Sequence, residues 1–382
     1  MTEPLLSEIR VANFRSARSL VMRPGRVCAF IGEPGAGKSN VLFALRALLD
    51  PGFDLSSADV TAGQRAVSIE ATLGDGRTIS LADRDRAPHI VHFPVALRDG
   101  DLVASDDSPV HALIREALAL APAPRVALVR GLEACAASTT GVVFAIEEPE
   151  LFLVPHAHRY LYRLIRRLAG LGNQVFFTTH APGLLSVAAL DEVNIVSRDE
   201  LGVTTVERLR PIDVDDTFRA LSEFDAERAE LFLSRAAILV EGMTEKTALP
   251  FVFHALGRDP DREQISIVEC GGKSNLPLFV EICKRARVPY VVVHDSDMHP
   301  GREPVDSEVR LNALILREAG AKHTIVLEPD FEGVAGWRGK SHKPERALRH
   351  LAHASLDELP QPLVRAVRLA LDAAEPRALL YS

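Results

Sequence analysis

RVCAFIGEPGAGKSNVLFALRALL, Arg26–Leu49, runs from a short apolar stretch through a glycine-rich loop into an apolar pattern of helical period. Gly32-Glu33-Pro34-Gly35-Ala36-Gly37-Lys38-Ser39 fits G-x-x-x-x-G-K-[ST] in full, between a strand signal and a helix signal. Phosphate chemistry needs these residue types in this order. Glycines let backbone N–H groups curl round the phosphates, lysine neutralises the β and γ oxygens, and the serine hydroxyl is placed to ligate Mg²⁺. Gly32, Gly35, Gly37, Lys38, Ser39 and the adjoining Asn40 are therefore the expected nucleotide-binding residues. An ordinary glycine-rich turn would not require the flanking strand and helix.

Outward from this loop, LSEIRVANF and SARSLVM read as strands before it, and two strand-like runs flank Gly74-Asp75-Gly76 as a hairpin. Residues of about 108–137 read as two helices broken by APAP. The apolar strand Val142–Ile146 ends in Glu147-Glu148-Pro149-Glu150. Carboxylates at the end of a buried strand can serve a nucleotide-bound metal and orient a water, so Glu147 is the expected metal-side acid and Glu148 the expected base. After the next helix and the strand QVFF, His180 ends Thr178-Thr179-His180, where it could sense a γ-phosphate. Arg159, Arg163, Arg166 and Arg167 share a helix face, read as a solvated or packing face ahead of a DNA contact.

Past a charged connector the pattern becomes AAILVEG, helix, ISIVECGG, helix, PYVVVHDSD, helix, HTIVLEPDFE. Four strands alternating with helices predict a parallel, doubly wound sheet. Acids stand where its strands end: Glu241, then Asp295 and Asp297, then Glu328, Asp330 and Glu332, with Glu245 in the first turn after Glu241. In such a sheet the strand ends converge on one crevice, and so many carboxylates there repel one another unless divalent cations neutralise them. A flavodoxin-like domain with incidental acids is the plainer alternative. The expected organisation is an α/β chain with an ATPase domain over 1–210, a helical connector over 211–233, an acid-bearing domain over 234–335 and a helical segment over 336–382.

The 382 residues, 47% hydrophobic and 25% charged, are those of a folded chain of more than one domain rather than a disordered or fibrous one. The net charge of −8 excludes a generally basic nucleic-acid coat and leaves any DNA contact to local patches or bound metal. The four cysteines, Cys28, Cys135, Cys270 and Cys283, lack C-x-x-C spacing and read as reduced core thiols. No leader or membrane span is read, so a cytoplasmic protein is expected.

IRVANFRS, GEPGAGKSN, FAIEEPE and TTHAP together resemble the head of an ABC-type ATPase of the DNA-repair and chromosome-structure kind. Arg130-Gly131-Leu132-Glu133-Ala134-Cys135 stands at the place of the signature helix of those heads, without their serine before the glycine. The VEG glutamate, Gly271-Gly272-Lys273 and the D-x-D of Asp295 and Asp297 resemble a Toprim domain, a fold of topoisomerases, primases and nucleases. The two together resemble the OLD (overcoming lysogenization defect) family of ATP-dependent endonucleases. That resemblance implies cleavage of DNA at a two-metal Toprim site holding Mg²⁺ or Mn²⁺, with the ATP-binding head regulating or assembling. It implies metal ligation by Glu241, Glu245, Asp295 and Asp297, joined by Asp330 or Glu332, and a phosphate-stabilising lysine at Lys340 or Lys343. It also implies a role in phage or plasmid defence or in DNA repair, with a homodimer or a further protein as partner. The rival is a repair or recombination ATPase whose Toprim domain binds DNA or protein without cutting. Topoisomerase chemistry ranks low, since Tyr160, Tyr162, Tyr290 and Tyr381 have no gate domain to carry them.

Overall fold

The computed structural model describes residues 3–93, 103–104, 116, 124–151, 153–185, 189–199, 201–210, 225–336 and 343–375. The chain divides into two compact units, Met1–Ile212 and Asp213–Ser382.

Two sheets make the first unit. Strands β1 (Leu6–Phe14), β2 (Ala17–Met22), β4 (Ser68–Leu73) and β5 (Thr78–Ser80) form an antiparallel sheet in the order β2-β1-β4-β5. The hairpin at Gly74-Asp75-Gly76 is present, with Leu73 N–H donating to Arg77 O at 2.7 Å. The second sheet runs β11-β10-β3-β9-β8-β6-β7. It comprises β3 (Val27–Ile31), β6 (His89–Phe93), β7 (Val103–Ala104), β8 (Val142–Glu147), β9 (Gln174–Thr178), β10 (Val193–Arg198) and β11 (Thr204–Arg208). Its inner five strands are parallel, and β7 and β11 cap its edges antiparallel. Every residue of β3, β8 and β9 is buried, as expected where both faces are covered. Helix α1 (Lys38–Leu49) supplies Val41, Leu42, Leu45 and Leu48 to one core shared with Ile9 and Ile69 of the small sheet and Phe30, Val143 and Phe176 of the large one.

Strand β6 lies outside the elements read from the sequence, because HIVHF is short and its histidines interrupt the apolar run. Helix α2 (Pro124–Ser138) is the second of the two expected around APAP, and the first falls outside the described residues. On α3 (Pro155–Gly170) the buried side chains are Leu161, Tyr162, Leu164, Ile165, Leu168 and Ala169. Arg159, Arg163, Arg166 and Arg167 are all exposed, and Arg166 pairs with Glu192 at 3.3 Å.

The second unit is a four-stranded parallel sheet, β12 (Ala236–Val240), β13 (Ile265–Glu269), β14 (Tyr290–Asp295) and β15 (Thr324–Leu327), in the order β13-β12-β14-β15. Side chains alternate faces along each strand. Ile238, Val240, Val291 and Val293 join a core with α4 (Met243–Ala255), α7 (Lys343–Leu351) and α8 (Gln361–Ala374). On α5 (Leu276–Ala286) Phe279, Ile282 and Cys283 are buried outside that core, whereas α6 (Asp306–Ala319) buries only Ile315 and Ala319. Leu363, Val364 and Val367 of the tail sit in the same core as β12, so the last helix completes this unit. Residues 211–224 of the expected connector lie outside the described residues, and Arg228–Leu233 forms a short 3₁₀ helix. All four cysteines are buried free thiols. Among the described residues, no helix is long and apolar enough to cross a membrane.

Candidate functional site

In the first unit the parallel registers pair Phe30 with Thr178 and Glu147 with Thr178. The ends of β3, β9 and β8 therefore lie side by side, and the loops that leave them carry the expected nucleotide residues. Gly37 caps α1 in the left-handed conformation at φ +105°, so the helix begins at Lys38 with its first N–H groups unpaired within the helix. A Cβ on Gly37 would lie 2.2 Å from Thr204 Oγ1, and one on Gly32, at φ +146°, would lie 2.0 Å from Val196 O. Both positions exclude a side chain by contact and by conformation. Gly32→Ala is expected to destabilise the unit by roughly 3 kcal/mol or more, measured by urea unfolding, because backbone rather than a movable side chain opposes the methyl group. Gly35, at φ +78°, has no atom within 4 Å of such a Cβ.

Lys38 is 6% exposed, and its Nζ donates to Gly32 O at 2.8 Å and to Glu33 O at 2.9 Å. Burial lowers its pKa to about 8, against the opposing pull of Glu148 and Glu33. Glu148 takes a left-handed φ of +42° and approaches His180, with Oε1 3.8 Å from Nε2. Burial and the nearby Lys38 charge lower the His180 pKa, holding the ring toward its neutral form. Lys38, Glu148 and His180 are thus brought together. The Asn40 side chain is engaged within the protein. Its Nδ2 donates to Ser16 Oγ at 2.7 Å, and its Oδ1 accepts from Arg15 Nη1 at 3.3 Å.

Two residues of this site went unread. His92, on β6, is 1% exposed and its Nε2 lies 3.0 Å from Glu147 Oε1, so the expected metal-side acid already has a buried partner. Glu150 Oε1 accepts from Thr179 Oγ1 at 2.7 Å and from His180 N–H at 3.0 Å. Burial raises the Glu150 pKa. This carboxyl fastens the loop after β8 to the loop that presents His180. Only the repeated acids of EEPE hinted at it, since its partners lie about thirty residues away.

In the second unit the strand-end acids do converge. Asp295 N–H donates to Glu241 Oε2 at 3.3 Å, and Gly242 N–H donates to Glu245 Oε2 at 3.2 Å in the first turn of α4. Burial, then the charges of Glu245, Glu241, Asp297 and Asp330, raise the Asp295 pKa to about 8. Burial also raises that of Glu241. Asp297, at φ +58°, is held by Lys273, whose Nζ donates to its Oδ2 at 2.7 Å and to Glu308 Oε2 at 3.0 Å. Asp330 caps the turn Phe331–Val334 by accepting from Gly333 N–H at 2.8 Å, and Glu332 is buried in that turn. Lys340 lies outside the described residues. Lys343 begins α7, and its side chain is likewise outside them.

Among the described residues, no group of three or more His, Cys, Asp or Glu side chains forms a ready-made metal cage. The donors nonetheless suit a hard divalent ion: they are all carboxylate oxygens, and Asp295 Oδ1 is buried without a hydrogen-bond partner. Closing the carboxylates round a cation would satisfy that oxygen and relieve their repulsion.

Residues 232–297 match the family described as "Overcoming lysogenization defect protein-like, TOPRIM domain". Residues 123–186 match "AAA domain, putative AbiEii toxin, Type IV TA system". The OLD nuclease of Thermus scotoductus is 34% identical over 246 residues, 58% of this chain and 47% of that protein. The Old nuclease of Escherichia phage P2 is 27% identical over 158 residues, 40% of this chain and 27% of that protein. This chain thus spans less than half the length of these curated relatives. Among solved structures, the C-terminal region of the Burkholderia pseudomallei OLD protein is 17% identical, with a TM-score of 0.30 over 37% of this chain and 98% of that one. The resemblance to the OLD family is borne out, as is the architecture of an ABC-type P-loop ATPase domain followed by a Toprim domain.

Proposed function

We propose that this protein is a nucleoside-triphosphate-binding endonuclease that hydrolyses DNA phosphodiesters with Mg²⁺ or Mn²⁺ at the carboxylate crevice of its second unit. The observation that carries this reading is Asp295, a carboxyl crowded by four others, with one buried oxygen lacking a partner. A structural carboxylate is ordinarily paired; an unpaired one among its own kind suits cation binding. The OLD nuclease likeness names the chemistry that such a crevice serves in a relative.

In this reading Glu241, Glu245, Asp295 and Asp297 hold the ions, with Asp330 or Glu332 adding a ligand. Bound ions would supply an activated water and charge neutralisation at the scissile phosphate. The chain's own groups orient those carboxylates: the Gly242 and Asp295 N–H groups fix Glu245 and Glu241, and Lys273 fixes Asp297. Lys340 or Lys343 would steady the negative charge on the phosphate.

The first unit would hold ATP, with Lys38 and Ser39 at the phosphates, Glu147 at the metal side and Glu148 with His180 at the γ-phosphate. With no serine in the signature position, this head regulates or assembles the nuclease rather than powering it. Phage or plasmid defence or DNA repair, action in the cytoplasm and self-association belong to the same proposal.

The test is supercoiled plasmid with Mg²⁺ or Mn²⁺, with and without ATP. Nicked or linear product is expected. Intact plasmid throughout, with ATP-dependent retention of DNA, would replace the nuclease by a DNA-binding ATPase.

A further inference from the structure

The carboxylate crevice contains its own cation. Gly271 and Gly272, at φ +74° and +118°, turn the chain sharply after β13, and Asn275 Nδ2 fixes the turn by donating to Cys270 O at 2.9 Å. Gly272 N–H donates to Glu241 O at 3.0 Å, which ties the turn to the end of β12. Lys273 follows, 6% exposed, with its ammonium on Asp297 and Glu308. Asp297 is anchored on its other side, where its N–H donates to Pro329 O at 2.7 Å.

A buried ammonium is costly unless it is paired, and among the described residues this one pairs with two acids, Asp297 and Glu308. An apolar side chain at this turn would leave those acids uncompensated in the metal-free protein. The ammonium instead cancels part of the charge that gathers Glu241, Glu245, Asp295 and Asp297, and it does so at a carboxylate that a divalent ion would also use. The ammonium and the ion therefore compete for the field of the same acids.

Resting on the metal-site reading above, we propose that Lys273 is a built-in counter-cation, a positioning residue that anchors Asp297 in the metal-free protein and sets the cation affinity of the crevice. Removing its charge strengthens divalent-ion binding, and removing the acid that shares it weakens that binding.

The test is calorimetric titration of the full chain with Mn²⁺ in the absence of nucleotide, with Asp295→Ala marking the binding that belongs to the crevice. Lys273→Met is expected to bind Mn²⁺ at least about tenfold more tightly, since it deletes a positive charge beside the ligands. It is also expected to melt lower in EDTA and to recover in Mn²⁺. Lys273→Arg keeps the charge and stays within about threefold of the unaltered protein. Unchanged or weaker binding by Lys273→Met would overturn the proposal. Should that variant fail to fold, Glu308→Gln decides, because Glu308 lies on α6 and is about one-third exposed. A severalfold weaker Mn²⁺ affinity supports the proposal, and an unchanged affinity overturns it. Loss of the nuclease reading has a separate signature: the unaltered protein would show no Mn²⁺ binding that Asp295→Ala removes.

Discussion

Asp295→Ala is expected to abolish metal-dependent plasmid cleavage, by at least about a thousandfold, while ATP binding persists. The size follows from what the side chain would do: a central ligand of an ion that supplies both the nucleophile and the charge stabilisation cannot be replaced by water alone. ATP binding persists because Lys38 and its loop belong to the other unit. Nicking measured on gels and ATP binding measured with a fluorescent analogue separate the two chemistries, and cleavage that survives the substitution would sink the assignment. The same residue predicts a stability effect of opposite sign. In the metal-free protein the folded state keeps Asp295 protonated to about pH 8, whereas an unfolded carboxyl ionises near its ordinary value of 3.8. Between those values the folded state binds the extra proton, so stability falls as pH rises. Asp295→Asn removes that penalty. It is expected to melt roughly 3–6 °C higher than the unaltered protein at pH 8 in EDTA, and to gain nothing from Mn²⁺. A lower melting temperature in EDTA would contradict the crowding argument.

What the sequence made legible were features with a local signature. AAILV is buried along its whole length and the run VVVH of PYVVVHD is buried too, and such strands read as unbroken apolar runs that end where the acids begin; HTIVL reads the same way although Val326 is exposed at the sheet edge. The phosphate loop is legible for the same reason, since its mechanism needs neighbouring residues in fixed order. Pairings between distant segments are not written locally. His92 meets Glu147 only because β6 and β8 lie side by side, bringing together residues 55 apart in sequence. Lys273 could be singled out as part of a Gly-Gly-Lys turn, but its pairing with Asp297 and Glu308 depends on β13, β14 and α6 being folded. Asn40 is a different case. It belongs to the motif by position, yet its side chain is spent on Ser16 and Arg15.

Lys38→Met is expected to lower ATP affinity at least about a hundredfold and to remove the thermal stabilisation that ATP·Mg²⁺ gives the unaltered protein. Without nucleotide, Lys38 Nζ is held by the carbonyls of Gly32 and Glu33, neutral acceptors that a triphosphate's charged oxygens would outbid. Methionine keeps most of the stem's volume and loses only the ammonium, so the loop's fold, set by Gly32 and Gly37, is retained. The depressed pKa adds a pH signature. Triphosphate binds the ammonium form, while the free protein releases that proton as pH rises through about 8. Binding above that pH must take a proton up, and ATP affinity is expected to fall about tenfold between pH 7 and pH 9. Residual binding by Lys38→Met should lack that slope, because the group that takes up the proton is gone. Fluorescence titration of both proteins across this range is decisive: unaltered ATP affinity in Lys38→Met, or the same slope in both proteins, would remove Lys38 from the phosphate site.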